Sequence, residues 1–133
     1  MIGKCLCRRV SIAIDHAPSH INICNCDFCR RLGAAWGYSS QAEVTISGDT
    51  ASFRRDDIAE IWIDAYFCPH CGTTTHYNVF REGHDGFAVN TRLFDLSDLS
   101  GIEVRYLDGK KVETEEDDFA RTAMGSIGDG HSF

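Results

Sequence analysis

Ile61-Trp62-Ile63-Asp64-Ala65-Tyr66-Phe67-Cys68-Pro69-His70-Cys71-Gly72-Thr73-Thr74-Thr75 is the stretch that sets the fold. Ile61, Ile63, Ala65 and Phe67 recur at every second position, the period of a half-buried strand. That strand runs directly into Cys68-x-x-Cys71-Gly72. Two thiolates at the tip of a tight turn, followed by a glycine that accepts φ > 0, form a zinc knuckle, because the turn aims backbone N–H groups at sulfur. The threonine run that follows supplies a returning strand, so the knuckle is expected to be a hairpin tip. A thioredoxin-like redox pair would instead open the helix of a βαβ unit, and no such unit flanks this stretch.

One knuckle brings two ligands, and a tetrahedral metal needs more. The chain holds seven cysteines, and the other five lie at Cys5 and Cys7 and at Cys24, Cys26 and Cys29. Clustered soft ligands of this kind point to zinc rather than to packing. Two pairings are open on spacing alone. Cys5 and Cys7 could complete the knuckle's tetrahedron and leave Cys24, Cys26 and Cys29 as a second site. Alternatively, Cys26-Asp27-Phe28-Cys29 could face the knuckle as a two-knuckle ribbon, with Cys5, Cys7 and Cys24 apart from it. The first arrangement uses every thiol. It would also leave a three-thiolate zinc with one open coordination position, the feature that separates catalytic from structural zinc. Water, a substrate thiol or a histidine could fill that position. The histidines available are His16, His20, His70, His76, His84 and His131.

Other residues near the middle cluster carry chemistry of their own. Arg30 and Arg31 follow Cys29 directly and could offset thiolate charge or hold a carboxylate bidentately. Trp36 and Tyr38 lie just beyond Gly33 and could wall a pocket, although core packing is the commoner fate of such aromatics. Asn90-Thr91-Arg92 ends an expected strand, which makes Asn90 and Arg92 further candidates for substrate contact.

The rest of the chain reads as mainly β. Val10, Ile12 and Ile14 alternate, as do Val44 and Ile46, Tyr77 and Val79, Phe87 and Val89, and Val104 and Tyr106. Turn signals at 47–49, 82–86 and 108–109 separate these strands. Short helical turns are expected at Asp27 to Leu32, stopped by Gly33, and at Leu96 to Leu99, opened by Asp95. With 133 residues, the chain suits one metal-stapled domain over residues 1–112. An acidic, partly flexible tail would occupy residues 113–133, with a possible helix near Asp118 to Met124.

The formal net charge of −7 opposes binding to nucleic acid or to an anionic membrane surface. No apolar run approaches the ~18 residues of a membrane span. The opening residues carry no apolar signal core, so a cytoplasmic protein with reduced thiols is expected. The odd cysteine count also argues against a disulfide framework.

Gly3-x-Cys5-x-Cys7, Cys24-x-Cys26-x-x-Cys29-Arg30-Arg31-x-Gly33 and Phe67-Cys68-x-x-Cys71-Gly72 together resemble the glutathione-dependent formaldehyde-activating family, which shares its domain with the centromere protein V group. The resemblance runs from about Ile2 to about Gly109. It implies an Mss4-like fold of several coiled antiparallel β-sheets. It implies a structural zinc on Cys5, Cys7, Cys68 and Cys71, and a second, catalytic-type zinc on Cys24, Cys26 and Cys29. It also implies carbon–sulfur lyase chemistry on a thiol–aldehyde adduct such as S-hydroxymethylglutathione, with glutathione and formaldehyde as partners. The competing reading is a zinc-stapled interaction module, or a thiol and aldehyde carrier without catalysis. A zinc-containing methionine sulfoxide reductase would need a reactive cysteine apart from the clusters, and none exists here.

Overall fold

The computed structural model describes residues 1–59, 62–80 and 86–110. Within them the chain forms β1 (Ile2–Lys4), β2 (Ser11–Ile14), β3 (His20–Cys24), α1 (Asp27–Leu32), β4 (Trp36–Ser39), β5 (Val44–Ser47), β6 (Ala51–Arg54), β7 (Ile63–Phe67), β8 (Thr74–Val79), β9 (Phe87–Asn90) and β10 (Glu103–Leu107). A three-stranded sheet has the order β1-β2-β5, and a seven-stranded sheet has the order β10-β3-β4-β9-β8-β7-β6. This is the expected mainly β architecture, antiparallel throughout except where β10 runs parallel to β3. No helix among the described residues is long and apolar enough to cross a membrane.

Strand alternation gives the large sheet two apolar faces. Trp36, Tyr77, Ala65 and Ala88 share one, and Phe28 and Cys29 of α1 pack onto it. Phe87 and Val89 lie on the other, against Ile12 and Ile14 of the small sheet and Phe94. A third, smaller cluster of Cys5, Val10 and Cys68 joins the two sheets at one end. Helix α1 stops where the sequence suggests: Gly33 takes the left-handed conformation at φ 61° and its N–H reaches the carbonyl of Arg30.

Several details depart from the sequence reading. Residues 96–99 form consecutive turns rather than a helix, with Asp98 N–H donating to the Asp95 carbonyl at 3.0 Å. Single 3₁₀ turns occur instead at Gln41–Glu43, where Ser40 and Glu43 form a capping box, and at Thr91–Leu93, capped by Asn90. In β10 the apolar residues face outward, with Val104 41% and Tyr106 45% exposed. The reason is position: among the described residues β10 ends the sheet order, with β3 as its partner. Ile61, the turn residues Glu82 to Asp85 with His84, and the acidic tail with the possible 118–124 helix and His131 lie outside the described residues.

One buried group ties this packing to pH. His76 is 3% exposed and stacks between Tyr66 (ring centroids 4.3 Å apart) and Phe87 (5.2 Å). The Thr75 hydroxyl donates to the Tyr66 carbonyl at 3.1 Å, so its oxygen must accept the 3.0 Å contact from His76. The neutral ring therefore carries its proton on Nδ1. Burial depresses the His76 pKa to about 4, against an ordinary 6.5. The unfolded chain thus binds more protons than the native one between these values, and stability falls as pH drops from about 6.5 to about 4. The expected loss is up to roughly 3 kcal/mol. Denaturant unfolding of the protein and of His76→Phe at pH 7.5 and 5 checks this. The difference between the two proteins should change with pH, whereas a constant difference would remove His76 from the account.

Candidate metal centres

Cys5 and Cys7 sit in the loop between β1 and β2. Arg8 takes a left-handed conformation there (φ 63°), and hydrogen bonds from Arg8 N–H to Cys5 and from Cys5 N–H to Val10 close the loop, both at 2.9 Å. The knuckle joins β7 to β8. Gly72 has φ 72°, and its N–H donates to the Cys68 carbonyl at 2.9 Å. The two loops meet so that the sulfurs of Cys5, Cys7, Cys68 and Cys71 all lie within 4.8 Å of one another. Cys5 and Cys7 are 3.5 Å apart, and Cys7 and Cys68 are 3.7 Å apart. A tetrahedral zinc with 2.3 Å bonds sets sulfurs ~3.8 Å apart, so the donor set and its spacing fit that ion. Surrounding donors favour thiolates: Val10 N–H points at Cys5 Sγ (3.3 Å) and Thr73 Oγ1 lies 3.2 Å from Cys71 Sγ. The Thr73 hydroxyl and backbone N–H bring the Cys71 thiol down to about 5.

The second group is built at the junction of β3 and α1. Cys24 ends the strand, Cys26 takes the extended conformation that precedes the helix, and Cys29 lies on its buried side. Their sulfurs also lie within 4.8 Å of one another. Cys26 N–H approaches Cys24 Sγ at 3.4 Å, and the Trp36 indole N–H donates to Cys29 Sγ at 3.3 Å. The Cys24 and Cys29 thiols, and further off the Arg55 charge, bring Cys26 down to about 2, while Cys29 is driven up by its two neighbours and by burial. Three soft sulfurs with N–H donors behind them suit the same kind of metal. Among the described residues no histidine nitrogen or carboxylate joins this trio.

A strap covers one side of the trio. Beyond β10 the Asp108 carboxylate, 4% exposed, accepts from Asn25 Nδ2 at 2.8 Å, and Lys110 N–H donates to Asn25 Oδ1 at 3.1 Å. Gly109 between them lies so close to Cys24 Sγ that a Cβ there would overlap the sulfur.

The remaining sequence candidates scatter. On α1, Arg30 and Arg31 turn to Asp27 (3.2 and 3.6 Å). Trp36 is both core and sulfur donor, at 1% exposed, and packs edge-on against Tyr77 with centroids 4.7 Å apart. Tyr38 is 44% exposed. The Asn90 side chain is taken up by backbone, accepting from Ala35 and Arg92 N–H and donating to the Thr74 carbonyl. Arg92 is exposed on its 3₁₀ turn. His16 and His70 are exposed, His20 lies against Ser19 and Tyr38, and His76 is enclosed in its aromatic stack. Sequence reasoning missed Arg55, whose guanidinium lies 4.9 Å over the Phe28 ring, its partner Asp57, and Gly109. Only Gly109 had left a sign, as half of an Asp-Gly turn.

The chain is 23% identical over 96 residues to an uncharacterized lyase of Schizosaccharomyces pombe, a match that covers 69% of this chain and 66% of that protein. It therefore spans just under two thirds of that relative's length. A crystal structure of a Rhodobacter sphaeroides protein superposes with a TM-score of 0.59 at 23% identity, covering 78% of this chain and 99% of that one, and so shares the fold. The family model for the glutathione-dependent formaldehyde-activating enzyme matches residues 1–105, and the chain belongs to that family.

Proposed function

We propose that this chain is a zinc-dependent enzyme that makes or cleaves the carbon–sulfur bond of a thiol–aldehyde adduct, with glutathione and formaldehyde as the pair suggested by its family. In this reading Cys5, Cys7, Cys68 and Cys71 hold a structural zinc that fixes one sheet to the other. Cys24, Cys26 and Cys29 hold a second zinc with a position left for substrate. The observation that carries the reading is the contrast in donor count: four sulfurs converge in one place and three in the other.

Zinc at the trio supplies a Lewis-acidic position at which a small thiol is present as thiolate at neutral pH. The chain's own residues do the rest. Trp36 and the Cys26 N–H orient the sulfurs, and Phe28, Trp36 and Tyr77 exclude water behind them. Burial pushes the Tyr77 phenol up, so it stays a neutral wall. In the synthetic direction the sulfur lone pair forms the C–S bond, and the carbonyl π pair moves to oxygen, which takes up a proton. The lyase direction returns that proton, re-forms C=O and releases thiolate.

Zinc stoichiometry with and without glutathione tests the reading, alongside NMR of formaldehyde exchange. The expected content is two zinc ions per chain for the parent and one for Cys26→Ser, with the fold retained and thiol binding lost. Unchanged zinc in Cys26→Ser would remove the second centre from the proposal.

A further inference from the structure

The Arg55–Asp57 pair is lopsided. The arginine side chain is only 13% exposed, flattened over Phe28 at 4.9 Å, while the carboxylate that neutralises it is 46% exposed. Asp57 takes the fork with both oxygens, Oδ1 on Nε at 2.6 Å and Oδ2 on Nη2 at 3.2 Å. Arg55 is anchored by its backbone, its N–H donating to the Ile63 carbonyl at 2.9 Å. Phe28, on which it rests, lies in α1 between Cys26 and Cys29. A planar cation thus rests on a ring of the cluster that Cys24, Cys26 and Cys29 border, and its counter-ion sits at the solvent edge. The largely buried guanidinium needs a partner for its charge, but that partner need not be Asp57, whose carboxylate stands at the solvent edge and can be exchanged for another. A fork that holds one carboxylate bidentately can hold another in the same geometry.

We propose that Arg55 selects carboxylate-bearing thiols, with Asp57 occupying its fork until the substrate's carboxylate takes that place. The inference rests on the thiol-binding reading of the trio and adds a substrate class to it. Arg55 is then a specificity residue rather than part of the bond-making chemistry.

The two partners predict effects of opposite sign, which a structural ion pair would not. Calorimetry on the zinc-loaded full chain would compare 3-mercaptopropionate with its neutral analogue 3-mercaptopropanol. The parent should bind the carboxylate thiol about tenfold more tightly, and Arg55→Met should abolish that preference. Asp57→Asn, which removes the competitor and keeps the shape, should strengthen binding of the carboxylate thiol several-fold. The quantity read is each protein's ratio of affinities for the two thiols, which cancels any effect common to both. Equal affinity of the parent for both thiols, or weakening of both thiols by both variants, overturns the proposal and leaves the thiol reading intact. If neither thiol binds, the reading itself falls and this inference falls with it. Should Arg55→Met fail to fold, Asp57→Asn decides alone: tighter carboxylate binding supports the proposal, and unchanged or weaker binding overturns it.

Discussion

Cys68→Ser is expected to yield a chain that lacks its structural zinc and cannot be recovered folded. Cys68 is 1% exposed and belongs to a cluster whose other buried members are Cys5 and Val10. That cluster is too small to hold the β1–β2 loop against the knuckle by apolar burial alone. Structural zinc contributes on the order of 10–16 kcal/mol, as much as the whole stability of a typical domain at about 5–15 kcal/mol. A serine hydroxyl stays protonated at neutral pH and does not replace the thiolate. Metal analysis and thermal unfolding of whatever remains soluble check the point. A well-folded, zinc-replete variant would show that the four sulfurs are not a structural centre.

Gly109→Ala is expected to damage the other centre while sparing the first. The added methyl would overlap Cys24 Sγ and come within 3.1 Å of Cys26 Cβ. The strap cannot simply lift, because Asn25 is bonded on either side of Gly109, to Asp108 at 2.8 Å and to Lys110 at 3.1 Å, and Asn25 N–H also donates to the Leu107 carbonyl at 3.2 Å. Either Cys24 swings out or the strap separates, and overpacking of this kind costs about 1–3 kcal/mol. Displacing a ligand should weaken zinc at the trio by more than the ~10–100-fold typical of disturbing an outer-shell partner. The zinc content should fall from two towards one, with far-UV circular dichroism unchanged. Two tightly held zinc ions and parental thiol affinity in Gly109→Ala would mean that the strap does not bear on the site.

Both predictions depend on contacts of different visibility in the sequence. The knuckle, the cysteine clusters and helix α1 were legible because each is local: Cys68, Cys71 and Gly72 sit within five residues, and Gly33 stops the helix that Asp27 opens. Strands such as β2 and β7 were legible because one of their faces is buried. β3 was passed over although Ile21 and Ile23 alternate, since the cysteine at its end draws the eye to metal. β10 could be seen as a strand, but not its parallel partner, which lies more than 80 residues away in the chain and leaves Val104 and Tyr106 facing outward. Arg55, Asp57 and Gly109 reach their places through contacts between distant segments, which no spacing rule records. Arg30 and Arg31, adjacent in sequence to the trio, were the natural choice for its cation, yet helical geometry sends both to Asp27.

The separation of the ligands along the chain has a consequence for assembly. Cys24, Cys26 and Cys29 belong to one short segment and can chelate an ion as soon as that segment emerges during synthesis, whereas Cys7 and Cys68 are 61 residues apart and meet only after a long loop has closed. The strap that shields the trio is later still, with Lys110 lying 85 residues beyond Asn25. A metal taken up early by the trio would therefore stay open to exchange through most of synthesis, until Gly109 arrives against Cys24.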